Sequence, residues 1–102
     1  MILQESYRLA NGVQIPKLGL GTWFIEDDKA VQAVRDAVAA GYRLIDTAQA
    51  YGNERGVGEG LRTCGLPREQ LLVTSKVAAE AKSYEAAAQS IDETLAKMGL
   101  EY

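Results

Sequence analysis

Apolar and polar residues follow two different periods along this chain, and the switches between them mark its elements. Glu26, Asp27 and Asp28 open a helix that runs to about Ala40, with Val31, Val34, Ala37 and Val38 recurring at helical spacing on one face. Negative charge at its start complements the helix dipole, and Gly41 is placed to end it in a left-handed conformation. Leu44-Ile45-Asp46 then reads as a short buried strand. A second helix is expected from about Asn53 to Thr63, with Asn53 as N-cap and Glu54 in the first turn. Gly56, Gly58 and Gly60 weaken its intrinsic propensity. Gln70 to Lys76 is a continuous apolar run that turns polar at its end, read as another strand. A third helix spans about Tyr84 to Met98, with Tyr84, Ala88, Ile91, Leu95 and Met98 along one side. Gly99 stops it, and Leu100-Glu101-Tyr102 reads as the approach to a further strand.

Upstream of these elements, Tyr7-Arg8-Leu9-Ala10 and Val13-Gln14-Ile15 are strand-like runs separated by Asn11-Gly12. That dipeptide predicts a hairpin with a type I′ turn, because such a turn needs positive φ at both central positions. Pro16 ends the pairing. Leu18-Gly19-Leu20-Gly21 follows as a first inner strand. Strand and helix therefore alternate three times after the hairpin, which predicts an α/β fold of parallel βα units with the helices outside. No linker or repeat divides residues 1–102, so they read as a single region.

Composition narrows the function classes. The 102 residues are close to half apolar with a net charge of −3, as expected for a globular domain. Basic and acidic side chains are interleaved, so nothing suggests nucleic acid as a partner. No apolar run approaches the length of a bilayer span, and the first residues lack the pattern of a secretion signal. The single cysteine, Cys64, allows no internal disulfide and fits a reducing cytoplasm. Histidine is absent, which removes most zinc sites and any acid–base scheme built on imidazole from this chain.

With parallel strands, Gly21-Thr22, Asp46 and Lys76 fall at strand C-terminal ends on one face, and Tyr51 lies in the loop above it. Enzymes of this architecture carry their chemistry there. A lysine ammonium beside a phenol favours the phenolate, and a carboxylate beside the lysine keeps it charged and oriented. Such a trio can give a proton to an oxyanion forming on a carbonyl if another agent delivers hydride. From spacing alone a plainer reading is favoured. Asp46 and Lys76 would then be a buried structural ion pair, Tyr51 a loop residue over the core, and Trp23 a packing residue. Gly19 and Gly21 would serve close strand packing, Glu54 would be a helix-start charge, and Cys64 would be inert.

Three ordered motifs carry a resemblance that changes this balance. Gly41-Tyr42-Arg43-Leu44-Ile45-Asp46-Thr47-Ala48, followed by Tyr51-Gly52-Asn53-Glu54 and Val57-Gly58, resembles the first signature of the aldo-keto reductases. Asn11 to Trp23 is similar to that family's N-terminal hairpin and first strand, and Val73-Thr74-Ser75-Lys76-Val77 to its third-strand lysine segment. Within the family the likeness leans toward the bacterial branch that includes 2,5-diketogluconate reductases.

The resemblance implies an NADPH-dependent oxidoreductase that reduces small aldehydes and ketones on a (β/α)₈ barrel without a metal. Tyr51 would be the proton donor, Lys76 its activator and Asp46 the lysine's partner. Gly21, Thr22 and Asp46 would bind cofactor, and Trp23 with Tyr51 would line the substrate end. Ala78-Ala79, where many relatives carry a bulkier residue, leaves the substrate's size open. A full barrel takes roughly 250 residues, so the chain is expected to hold the hairpin and the first three βα units. The family's catalytic histidine and most of its cofactor segments would lie beyond Tyr102. The chain alone would then be inactive, pairing with a C-terminal part or with itself. The alternative is a non-catalytic partial barrel that acts as an assembly or binding element.

Overall fold

The computed structural model describes all residues, 1–102. After a 3-10 turn at Ile2–Gln4 come strands β1 (Ser6–Arg8) and β2 (Gln14–Pro16), then β3 (Leu20–Gly21) and helix α1 (Asp27–Ala39). Strand β4 (Leu44–Asp46), helix α2 (Glu54–Thr63), strand β5 (Leu72–Thr74) and helix α3 (Tyr84–Met98) complete the order. Strands β1 and β2 form the expected antiparallel hairpin, with Tyr7 opposite Ile15. Strands β3, β4 and β5 are parallel neighbours in that order. The fold is a hairpin followed by three βα units of a (β/α)₈ barrel.

The helices cover one face of the sheet. Ile45 is fully buried among Ala30, Val34, Ala37 and Val38 of α1 and Val57 and Leu61 of α2. The alternation of β strands sends the neighbours of Ile45 the other way. Leu44 and Asp46 therefore lie on the inner face, where a Cβ added at Gly19 would meet the Leu44 side chain at 2.8 Å. Cross-strand register sets Gly21, Asp46 and Thr74 in one row at the strand ends.

Helix α2 forms despite its glycines because they let it approach its neighbours backbone to backbone. A Cβ at Gly56 would sit 2.0 Å from the Asp27 carbonyl oxygen, and one at Gly58 would sit 2.2 Å from the Met98 carbonyl oxygen. Helix α1 ends as read from the sequence. Gly41 has φ 110°, and the amides of Gly41 and Tyr42 bond back to the carbonyls of Val38 and Ala37.

Several local expectations give way. The hairpin loop is not a two-residue type I′ turn, since only Gly12 has positive φ. Leu9 donates to the Val13 carbonyl, Gly12 donates back to Leu9, and the Asn11 carboxamide accepts from the Val13 amide. The result is a three-residue loop with glycine at the bulge. The inner strands are shorter than the apolar runs. Leu18 and Gly19 precede β3, Arg68–Gln70 before β5 is a 3-10 turn, and residues 100–102 form no strand.

The largest difference is in α3. Its buried residues are Thr94 and Met98, whereas Tyr84 is 86% and Ile91 48% exposed. Ala88 is exposed as well, and Leu95 is half-buried. The stripe read from the sequence is present, but most of it is exposed. A narrower line through Ser90, Thr94 and Met98 docks instead, because Gln49 binds Ser90 and Thr94.

Candidate active site

The loops after β4 and β5 run side by side past the ends of their strands. Thr47 donates to the Thr74 carbonyl (2.8 Å) and Gln49 to the Lys76 carbonyl (3.1 Å), so the parallel ladder continues into the loops. This brings Lys76 beside Asp46. Its Nζ donates to Asp46 Oδ1 (2.5 Å), to the Thr47 carbonyl (2.9 Å) and, at 3.5 Å, to the Tyr51 hydroxyl. The ammonium also stands 5.2 Å from the centre of the Tyr51 ring. Tyr51 reaches this position from the end of a 3-10 turn, Gln49–Tyr51, which closes on the left-handed Gly52.

The hydrogen bond to Asp46 is the main cause that raises the Lys76 ammonium above the ordinary lysine value. Partial burial opposes that rise, and the Tyr51 hydroxyl adds to it. Lys76 and Asp46 are 48% and 42% exposed, so this is not a buried ion pair. The chemistry of the trio is open to a ligand. Asp46 Oδ1 holds the lysine, while Oδ2 makes no bond within the chain.

Among the sequence-predicted residues, Asp46, Tyr51 and Lys76 come together, with Gly21 in register beside Asp46. A Cβ at Gly21 would meet nothing within 4 Å, so the strand end there is an open ledge. Thr22 lies beneath it, fully buried, with its amide and hydroxyl both bonded to the Asp46 carbonyl. Trp23 is 66% exposed and stacks on Phe24, ring centres 4.3 Å apart, rather than on any of the trio. Phe24 holds a φ of 65°, uncommon for a residue with a side chain.

Sequence reasoning passed over the polar groups behind the trio. Asn53 stands at the N-cap position of α2, but its side chain makes no cap bond. It is fully buried, accepts from Thr47 Oγ1 (2.7 Å) and donates to the carbonyls of Thr22 (2.8 Å) and Ile25 (3.0 Å). Glu54 is buried rather than a solvated helix-start charge, and it accepts from Ser75 Oγ (2.8 Å). Gln49 donates to Ser90 and Thr94 and accepts from the Ala78 amide. The one available signal was the polar line Ser90, Thr94 at helical spacing with Met98. No cluster of three or more His, Cys, Asp or Glu side chains could hold a metal ion, and no helix is long and apolar enough to cross a membrane.

Comparison with known proteins gives this geometry a family. The chain is 47% identical over 95 residues to the 9,11-endoperoxide prostaglandin H2 reductase of Trypanosoma cruzi, covering 92% of this chain and 34% of that protein. It is 44% identical over 94 residues to the morphine 6-dehydrogenase of Pseudomonas putida, covering 92% of this chain and 32% of that one. A crystal structure of an aldo/keto reductase from Brucella melitensis superposes with a TM-score of 0.93 at 42% identity, covering 96% of this chain and 37% of the other. The chain thus spans about a third of the length of the relatives it matches. The profile of the aldo/keto reductase family matches residues 17–102, and the chain belongs to that family.

Proposed function

We propose that these residues carry the proton-transfer end of a carbonyl-reducing site, with a small aldehyde or ketone as substrate and NADPH as hydride source. The observation that carries the proposal is the Lys76 ammonium held jointly by Asp46 Oδ1, the Thr47 carbonyl and the Tyr51 hydroxyl. In this reading Tyr51 gives its phenolic proton to the carbonyl oxygen as charge develops there. Lys76 donates to the same phenolic oxygen and counters the charge left behind, and Asp46 keeps the ammonium in place and charged. The nicotinamide, when bound, supplies the hydride to the carbonyl carbon.

The inner face fits such a group at its reactive end. Gly21 gives an open ledge, and Asp46 Oδ2 is free to accept from a ribose hydroxyl or a carboxamide. Thr22 has no side-chain surface to offer and serves by holding the Asp46 backbone. Trp23 and Tyr51 would meet the substrate. The relatives act, by their names, on a prostaglandin endoperoxide and on morphine. That range supports a substrate choice made largely outside the shared proton-transfer machinery.

The test places these 102 residues in the matching third of a full-length relative and follows NADPH oxidation with a small aldehyde. Tyr51→Phe is expected to lower kcat by roughly 10²–10⁴-fold with a smaller change in KM. An unchanged kcat would overturn the assignment. We propose further that the 102 residues form a single region that does not turn over alone, because three strands supply only part of a barrel's cofactor cradle. Turnover by the isolated chain at the rate of an intact relative refutes that part. A second reading, an assembly element, is favoured by the exposed Tyr84 and Ile91 on α3 and by the unpaired outer edges of β3 and β5. A monodisperse monomer in light scattering at high concentration would count against it.

A further inference from the structure

Tyr51 lies between two side-chain amides four residues apart, and each reaches into a different neighbouring segment. Asn53 binds the loop after β3 through the carbonyls of Thr22 and Ile25. Gln49 binds the loop after β5 through the Ala78 amide and binds α3 through the Ser90 carbonyl, Ser90 Oγ and Thr94 Oγ1. The partners fix which way each amide points. Two carbonyls on Asn53 require its Nδ2, and a backbone N–H on Gln49 requires its Oε1.

Both connections end on atoms that hold the trio. Asn53 Oδ1 accepts from the hydroxyl of Thr47, whose carbonyl accepts from Lys76 Nζ. Thr22, whose carbonyl Asn53 binds, holds the Asp46 carbonyl through its amide and hydroxyl. Gln49 donates its own amide to the Lys76 carbonyl. Asp46, Lys76 and Tyr51 are each partly open to solvent, so no tight packing around their side chains holds them in place. Satisfied polar networks behind a site can supply that rigidity.

We propose that Asn53 and Gln49 are positioning residues that brace the Tyr51 loop between the first and third βα units and thereby set the Lys76–Asp46–Tyr51 geometry. The inference rests on the proton-transfer reading for its functional meaning, but the geometry it describes can be measured without turnover.

The experiment uses the 102-residue chain with ¹⁵N-labelled lysine. The titration of Lys76 Nζ is followed by NMR in the unsubstituted chain and in each variant. The Asp46 contact holds Lys76 above the ordinary lysine value. In Gln49→Met, a neutral side chain of similar length that loses the donors to Ser90 and Thr94 and the acceptor for Ala78, the upward displacement is expected to shrink by at least half. Thr47→Val, which removes only the hydroxyl that Asn53 accepts from, is expected to do the same. Asn53→Leu, which adds no charge beside the lysine, should act more strongly, and the two milder variants keep the test open if it fails to fold. Folded variants whose Lys76 titration is unchanged from that of the unsubstituted chain would overturn the proposal, since a merely structural role lowers the melting temperature without moving that titration. The two readings fail separately. Variants that move Lys76 while Tyr51→Phe leaves turnover intact in the full-length context would sink the catalytic assignment and leave the brace standing.

Discussion

Helices α1 and α3 flank the same central helix, α2, and both carry an apolar stripe at helical spacing, yet they are held in different ways. Against α1, the glycine face of α2 puts backbone on backbone, and Ala30, Val34, Ala37 and Val38 are buried beside Val57 and Leu61. An ion pair closes the contact, with Arg55 Nε 2.6 Å from Asp27 Oδ2 and the Gly56 amide 2.7 Å from Asp27 Oδ1. Against α3, backbone meets backbone only at the helix's last residue, where Gly58 lies against Met98. Met98 enters the core, Arg62 Nε donates to its carbonyl, and Gln49 holds Ser90 and Thr94 through polar bonds. Toward Tyr84 the helix stands clear. An amphipathic pattern says that a helix has a face to bury, and the neighbour decides whether that face is covered.

The largest effect expected from breaking this contrast is at Gly56. Alanine there gains about 1 kcal/mol of helix propensity. Its Cβ, however, meets the Asp27 carbonyl oxygen at 2.0 Å, which no side-chain rotation can relieve. Overpacking of this kind costs roughly 1–3 kcal/mol, occasionally more, so net destabilisation is expected as a lower urea midpoint for Gly56→Ala. A midpoint at or above that of the unsubstituted chain would mean the two helices are not in contact there.

A smaller effect should appear on acidification. Burial pushes the Asp27 carboxyl up, but the Arg55 hydrogen bond, the Gly56 amide and the Arg55 charge outweigh it and hold the carboxyl below the ordinary aspartate value. A carboxylate with a depressed folded value contributes stability that is fully present above its unfolded value, roughly pH 4. That stability is lost as pH falls through the folded value below it. Asp27→Asn should therefore be less stable than the unsubstituted chain near neutrality, and the difference should close as pH falls below about 4. A difference independent of pH would assign the effect to packing. Lys76 runs the other way. Its raised value means a contribution that is complete below the ordinary lysine value and lost as pH rises through the folded one.

The smallest effect belongs to α3. Ile91→Ser on the exposed stripe should change stability by no more than about 0.5 kcal/mol and lower any tendency to self-associate in light scattering. A loss of several kcal/mol would show that Ile91 is covered in solution.

Much of the fold could be read along the chain because the causes are local. The acids at the head of α1, the glycine at its end and the β-rich run of β4 act within a few residues, and β4 is Leu44–Asp46 as expected. The parallel order of the strands also follows from alternation alone. Asp46, Tyr51 and Lys76 could be named because their motif travels with their sequence, and Gly21 falls in register with Asp46 for the same reason.

What the order of residues could not supply is which polar groups meet across distance. Gln49 and Ser90 are 41 positions apart and Asn53 and Thr22 are 31 apart, so their bonds exist only once the βα units have stacked. The same holds for the face α3 buries and for the glycines of α2, which local propensity counts against a helix and interhelical contact requires. Propensity, capping and period act through near neighbours in sequence, and these by themselves determined most of the elements, while the resemblance of three motifs named the candidate chemistry. Close packing and hydrogen-bond satisfaction act through neighbours in space, and only the tertiary structure decided how firmly that chemistry is held.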